Sequence, residues 1–387
     1  MLLRCGAKNF YSFKEGVEIS FELPKHCPAT ISKGNEISNI ICVKGANGSG
    51  KTNLLKIPPF LGYFCSASFA LNDPDKDIAI DSYLNNLDPI DIYCDFEVKG
   101  IKYSYNVSLT KRKVISEELY RVIRRATPVF IRHGNELIKY IKEFSDLDRI
   151  IIRSNASLIS TAFQYEVEAI KDIHLFFRKI ESNVTQIGRV SGSKDYKRAS
   201  KYYNENNNIF ELASNIIKYS DIGIKNISLH KMKNDKNEDI YQPVFEHETD
   251  EENINNKLNF FYQSSGTQEL YSILPLYCKS IFEGAVLVLD EFDINLHPDI
   301  LKQLVMLFDD EQINTSNAQL IFSTHHQDII DYMGKYRTML VNKEKSESYA
   351  YRLDEIEGDI LRNVRPISPI YKSGKIGGVP KVTMYGK

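Results

Sequence analysis

The chain has 387 residues, enough for one large domain or two ordinary ones and enough to bury a sizeable core unaided. Apolar residues make up 42% and charged residues 26%, which excludes wholesale disorder. A formal net charge of −2, from 49 basic against 51 acidic residues, excludes a general positive coat for nucleic acid and leaves room only for a local basic patch. Cys5, Cys27, Cys42, Cys65, Cys94 and Cys278 are scattered without a CxxC pair, so ordinary reduced thiols are expected rather than a metal or disulfide scaffold. The sequence shows no run of 18 apolar residues, and its start, MLLRCGAKNF, has no apolar signal core. The expectation is a cytoplasmic protein without a membrane span.

Residues 1–23 alternate around Phe10, Phe13, Val17, Ile19 and Phe21, which predicts two short strands with a turn near Lys14–Gly16. Residues 39–44 are a continuous β-branched run, the mark of a buried central strand. A glycine-rich turn follows, then a helix that Pro58 and Pro59 should end early or kink. Residues 89–108 predict a hairpin turning at Lys99–Gly100, and residues 115–175 mix short strands and helices. From Glu166 to Lys218 the pattern is mainly helical, interrupted by a polar stretch at 191–208. Glu246, Glu248, Asp250, Glu251 and Glu252 mark an exposed acidic loop over 246–256. A helix closed by Gly284 comes next, then buried strands at 286–289 and 319–323 separated by an amphipathic helix near 298–309. A last hairpin fits 337–353. Strands alternating with helices predict an α/β fold, with the helical middle inserted between two halves of the sheet.

Three segments carry chemistry. Gly45-Ala46-Asn47-Gly48-Ser49-Gly50-Lys51-Thr52 fits G-x-x-x-x-G-K-[ST], in which glycines let backbone N–H groups approach phosphate oxygens. The helix dipole adds positive charge there, Lys51 reaches the β- and γ-phosphates, and the Thr52 hydroxyl ligates Mg²⁺. The strand 285–289 ends in Asp290 and Glu291; Asp290 is placed to hold Mg²⁺ and Glu291 to polarise a water. Ser264-Ser265-Gly266-Thr267-Gln268-Glu269 opens a helix and offers a second anion cradle or a plain N-cap, with Glu269 near capping-box spacing. His325, after the strand 320–323, is placed to sense a γ-phosphate, with His326 beside it.

In this order the motifs resemble the ATP-binding-cassette ATPases of the SMC and OLD type. The likeness is greatest to the stand-alone AAA-labelled ABC ATPases of bacterial anti-phage systems, such as the ATPase subunit of PARIS. Lys8–Phe13 looks like their opening "ENFRSF", and 101–119 like the β segment of their first lobe. Residues 290–298 look like Walker B with the D-loop, and 374–380 like their "GRFGAVP" ending. The resemblance implies an α/β ABC-ATPase head, a P-loop NTPase with a mixed sheet, a lobe I β subdomain and a helical insert. Lobe I with Walker A would cover 1–165, the helical insert 166–220, and lobe II with signature, Walker B and histidine switch 221–387.

It also implies ATP and Mg²⁺ as cofactors. Asn47, Gly48, Ser49, Gly50, Lys51, Thr52, Ser264, Ser265 and Gly266 would bind nucleotide, Thr52 and Asp290 the metal, and Glu291 and His325 would act in hydrolysis. The Q-loop glutamine falls on Gln164, in SLISTAFQ. The signature reads SSGTQ where the family has LSGGQ. In such families two heads sandwich two ATPs, so a homodimer or higher homo-oligomer is implied. About 210 residues separate Thr52 from Ser264 without sustained heptads, so long coiled arms are not expected. The roughly 60 residues after the histidine strand are expected to be too few for a TOPRIM nuclease, so a toxin or nuclease effector is expected in trans. The resulting reading is an ATPase that senses infection and regulates a separate effector. A RecF-like DNA-repair ATPase is the alternative, with Lys111, Arg112, Lys113, Arg121, Arg124 and Arg125, or Lys194, Lys197, Arg198 and Lys201, as a DNA track. The nucleotide-binding subunit of a transporter fits less well, because the signature comes late.

Overall fold

The computed structural model describes residues 1–149, 151–189, 196–234, 236–250, 256–293, 297–358, 360–361 and 365–379. The first third of the chain runs β1 (Leu2–Lys8), β2 (Val17–Ser20), α1 (Ala29–Ser32), β3 (Ile40–Gly45), α2 (Lys51–Leu55), α3 (Ile57–Leu71), β4 (Ile90–Val98), β5 (Ile101–Leu109), β6 (Val114–Val122) and β7 (Ala126–His133). The middle runs β8 (Glu136–Tyr140), α4 (Leu158–Gln164), α5 (Lys171–Arg178), β9 (Ile180–Ser182), β10 (Val184–Thr185), β11 (Gly188–Arg189), α6 (Tyr196–Glu205), α7 (Asn207–Ser220), β12 (Ile224–Lys233), β13 (Asp239–His247) and β14 (Lys257–Asn259). The last part runs α8 (Ser265–Glu283), β15 (Val286–Leu289), α9 (Pro298–Asp309), β16 (Gln319–Ser323), α10 (Ile329–Met333), β17 (Thr338–Glu344), β18 (Glu347–Arg352) and α11 (Ser368–Lys372).

The continuous apolar runs become a central sheet in the order β18-β17-β3-β16-β15-β9. Strands β17, β3, β16, β15 and β9 are parallel, and β18 returns antiparallel to β17 as the predicted last hairpin. Alternate residues of these strands enter two different cores, because side chains alternate across a sheet. Ile41, Val43, Val286, Val288 and Ile321 join the core of the N-terminal half, with α3, α4 and β1. Ile40, Cys42, Leu287, Leu289, Leu320 and Phe322 join a second core with α6 to α9. Both faces are covered, which is why these strands read as unbroken apolar runs.

A second sheet, antiparallel, runs β2-β1-β4-β5-β6-β7-β8. The predicted hairpin is β4–β5, and Lys99 (φ 50°) with Gly100 (φ 77°) makes the tight turn that hairpin twist favours. The stretch 115–175 is more regular than its sequence pattern: β6, β7 and β8 extend the sheet before α4 and α5 begin. A buried ion pair locks the two parts together. Arg132 Nη1 lies 2.9 Å from Glu117 Oε2 with both side chains wholly buried, and the same carboxylate accepts the Leu158 N–H at 2.9 Å.

The helix after the glycine turn is interrupted next to the prolines, as expected, and then continues. It breaks at Lys56 and restarts as α3 with Pro58 and Pro59 in its first turn, where missing N–H groups cost nothing. Taken as one stretch, Lys51–Leu71 is long and apolar enough to cross a membrane by composition, but 61% of its most apolar window is buried inside this fold. The stretch 166–220, expected as a helical insert, holds α5, α6 and α7 but also β9, the strand that borders β15 in the central sheet. Of the expected acidic loop, Glu246 lies in β13, while Glu251 and Glu252 fall outside the described residues.

Candidate functional site at the strand ends

The C-terminal ends of three neighbouring parallel strands converge. β3 leads into the glycine loop, β15 into Asp290 and Glu291, and β16 into Thr324 and His325. This is where open α/β sheets bind ligands. Gly48 (φ 76°) and Gly50 (φ 111°) take left-handed conformations, the kind that phosphate-binding loops need and glycine adopts without strain. At Gly50 a β-carbon would also meet Ser348 Oγ at 2.5 Å and Ser12 Oγ at 2.9 Å. Ser348 in turn donates to the Ser49 carbonyl at 2.7 Å, and Asn53 donates to Ser12 Oγ at 2.9 Å, so the loop is braced from outside by the N-terminal turn and β18.

Lys51 is 7% exposed, and its ammonium donates to the carbonyls of Gly45 (2.9 Å) and Ala46 (3.1 Å) across its own loop. Burial lowers its pKa, while the carboxylates of Asp290, Glu291 and Asp293 pull it back up. Ser49 Oγ is buried without a hydrogen-bond partner. A cation held only by carbonyls beside an orphaned hydroxyl and left-handed glycines suits a polyphosphate.

Thr52 Oγ1 donates to Asp290 Oδ2 at 2.6 Å, and Ser323 Oγ donates to Asp290 Oδ1 at 2.5 Å. Asp290 is 2% exposed. Its backbone is held on both sides by the Asn183 side chain, at 2.8 Å from N–H to Oδ1 and 3.0 Å from Nδ2 to carbonyl. Among the described residues no group of three or more His, Cys, Asp and Glu side chains could hold a metal alone. A Thr hydroxyl and one carboxylate beside a phosphate cradle is the donor set Mg²⁺ uses when phosphates and water complete its shell. Glu291 sits at φ 49°, with its N–H on Ser323 Oγ at 2.8 Å. Its two carboxylate oxygens face Arg189 Nη1 at 3.0 Å and His325 Nε2 at 3.7 Å.

The switch segment is tied down from below. Asp293 Oδ2 accepts the His325 N–H at 3.0 Å. Lys44, buried in β3, donates to the His326 carbonyl at 2.6 Å and the Thr324 carbonyl at 3.3 Å. Burial lowers the Lys44 pKa. The D-loop residues Ile294, Asn295 and Leu296 lie outside the described residues.

The signature segment is built but stands apart. Ser264 is the N-cap of α8, accepting the Thr267 N–H at 3.1 Å, and Thr267 Oγ1 donates to Asp221 Oδ2 at 2.8 Å. Ser264 and Ser265 are exposed, beside exposed Phe261 and Tyr262. Glu269, in the second turn of α8, lies 3.9 Å from Arg189 Nη2. Pro275, inside α8, leaves the Tyr271 carbonyl without its helical partner, and the Tyr203 hydroxyl supplies one at 3.0 Å.

Gln164 is not brought to the phosphate loop. It is exposed at the end of α4, where Tyr165 stacks edge-on against Phe69 and Ser160 caps the Phe69 N–H. From Phe69 back to Thr52 is about 25 Å along α3 and α2. The segment that does reach the site follows β9: a β-carbon on Gly188 would lie 4.0 Å from Thr52 Cγ2. Gln186, at the tip of that hairpin, lines a 280 Å³ cavity with Tyr11, Lys56 and Thr185. The sequence signal for it was available: a short strand followed by Gln-x-Gly-Arg between the phosphate loop and the signature. Asn183, Arg189, Ser323 and Lys44 carried no such signal, since their partners lie far away in the chain.

Of the two basic clusters, the first separates and the described part of the second stays together on one helix. Lys111–Lys113 stand at one end of β6 and Arg121, Arg124 and Arg125 at the other, about 30 Å apart at strand rise, and Lys111 is paired with Asp81 at 2.5 Å. Lys197, Arg198 and Lys201 lie exposed on α6, and Lys194 falls outside the described residues.

Residues 40–331 match the family described as "AAA domain, putative AbiEii toxin, Type IV TA system". No curated protein matches the chain. Among solved structures, the SMC head domain from Thermotoga maritima is 14% identical, covering 92% of this chain and 99% of that one, with a TM-score of 0.46. A SmcHead bound to the C-winged helix domain of ScpA is 14% identical, covering 90% and 96%, with a TM-score of 0.48. An Smc head domain with an extended coiled coil, bound to the C-terminal domain of ScpA derived from Pyrococcus furiosus, is 12% identical, covering 92% and 97%, with a TM-score of 0.43.

Proposed function

The chain belongs to this AAA-domain family, and on that premise we propose that it is an ATP-hydrolysing head that works as a pair. The observation that carries the reading is the convergence of Lys51, Thr52, Asp290 and Glu291 at three strand ends, with Thr52 Oγ1 already 2.6 Å from Asp290 Oδ2. Loop N–H groups and Lys51 grip the β- and γ-phosphates of ATP. Thr52 and Asp290 hold Mg²⁺, which supplies charge neutralisation at the phosphate oxygens. Glu291 orients and polarises the attacking water, and His325 contacts the γ-phosphate. Gln186, rather than Gln164, serves as the Q-loop glutamine.

The second half of each site comes from another copy. Ser264, Ser265 and Gly266 present an exposed helix N-terminus with no bond to their own phosphate loop among the described residues, and exposed Phe261 and Tyr262 rim it. The phosphate loop of one copy and the signature segment of the other then face each other across a homodimer. This assembly is proposed to act in the cytoplasm as a sensor that holds or releases a separate toxin or nuclease. Support for that role is the toxin–antitoxin description of the matched family and the likeness of the motifs to anti-phage ATPases. The DNA-repair alternative loses its first basic cluster, which is split along β6, and keeps only the short exposed group Lys197, Arg198 and Lys201 on α6.

The test is Glu291→Gln. Turnover should fall about 100-fold or more, the usual weight of a general base, while ATP now traps a dimer visible by gel filtration. Wild-type turnover, or no ATP-dependent change in size, would contradict the reading. Pull-down of the adjacent gene product with and without ATP tests the effector role. Strong, salt-sensitive stimulation of turnover by duplex DNA would move the reading to DNA repair.

A further inference from the structure

Arg189 ends the short hairpin β10–β11 and places one guanidinium between two carboxylates from different elements. Nη1 lies 3.0 Å from Glu291 Oε2 at the end of β15, and Nη2 lies 3.9 Å from Glu269 Oε1 in the second turn of α8. The side chain is 18% exposed, and its Nε is buried without a hydrogen-bond acceptor. The other Glu291 oxygen faces His325 Nε2 at 3.7 Å. In this conformation one oxygen of the proposed base is hydrogen-bonded to Arg189, and the other lies near, but not bonded to, His325. A charge-assisted hydrogen bond from a guanidinium fixes the direction in which that carboxylate points, and so decides whether it faces the attacking water. Glu269, five residues beyond Ser264, rides on the helix that presents the signature.

We propose that Arg189 is a positioning residue that restrains Glu291 in the unpaired protomer and releases it when the signature helix of the same protomer engages a second copy. This rests on the ATP-hydrolysing reading above. Engagement of Ser264–Gly266 by the partner's nucleotide shifts the start of α8, Glu269 moves with it, and the guanidinium follows. One side chain thereby couples the half-site a protomer offers its partner to the half-site it keeps.

The experiment measures steady-state ATP turnover against protein concentration for the full chain, Arg189→Ala and Glu269→Gln, with fluorescent-ATP affinity measured alongside. Loss of a partly buried ion pair should raise the turnover of dilute Arg189→Ala roughly fivefold. It should also narrow the gap between dilute and concentrated protein, at little changed nucleotide affinity. Glu269→Gln should move the same way by a smaller factor. Unchanged or lower turnover with the wild-type concentration dependence would overturn the inference, since a merely structural role would lower activity at all concentrations alike. If Arg189→Ala does not fold, Glu269→Gln decides alone, and a wild-type concentration profile there overturns the inference. A wild-type chain that hydrolyses no ATP at any concentration brings down the functional reading and the inference together; an active wild type with inert variants brings down the inference only.

Discussion

The phosphate loop and the signature segment are both glycine-containing turns at a helix start, yet the structure treats them oppositely. The loop at 45–52 is surrounded: Ser12 and Ser348 brace it from outside, Asp290 takes its threonine, and Lys51 is folded back onto its carbonyls. Ser264–Gly266 is satisfied locally, through Thr267 and Asp221, and otherwise faces solvent. One is a site waiting for a ligand; the other is a surface waiting for a site. That difference is what motivates the proposal that a second copy completes the site.

That contrast can be broken from either side. The largest effect on binding belongs to Lys51→Ala, which removes a charge partner of the phosphates and should weaken ATP affinity about 100-fold, read by fluorescent-nucleotide titration. Gly266→Asp should do something different. An acidic residue in the first turn of α8 suits the helix dipole, so the protomer stays folded. The added charge repels a facing phosphate, so turnover at high protein concentration should fall by at least about tenfold with single-protomer ATP affinity unchanged. An equal loss of affinity would show that the signature touches its own nucleotide. The smallest effect is expected for Ser264→Ala, which removes the α8 cap and should cost about 1 kcal/mol of stability by denaturant titration.

Motifs whose residue types are dictated by backbone conformation were legible in the sequence. Gly48 and Gly50 at positive φ, the apolar strands 40–45, 286–289 and 319–323, and Gly284 closing α8 all stand where the pattern puts them. What depends on distant pairing was not. Arg189 and Asn183 reach partners more than 100 residues away, and nothing local marks them. Gln164 follows an apolar run that is a helix buried against α3, whereas Gln186 follows strands of three and two residues, too short to show a period. β7 and β8 were blurred for a similar reason: at the outer end of the antiparallel sheet many of their residues are exposed, so the alternation that marks β4 fades.

The central claim, that one catalytic site needs two copies, is tested most directly by mixing. Lys51→Ala keeps a sound signature and Gly266→Asp keeps a sound phosphate loop, so each alone should turn over at about a tenth of wild type or less. Their mixture should form heterodimers with one intact composite site and recover about a quarter of wild-type turnover, as random pairing dictates. A mixture no more active than its parts, or a Gly266→Asp protein fully active by itself, would contradict the account.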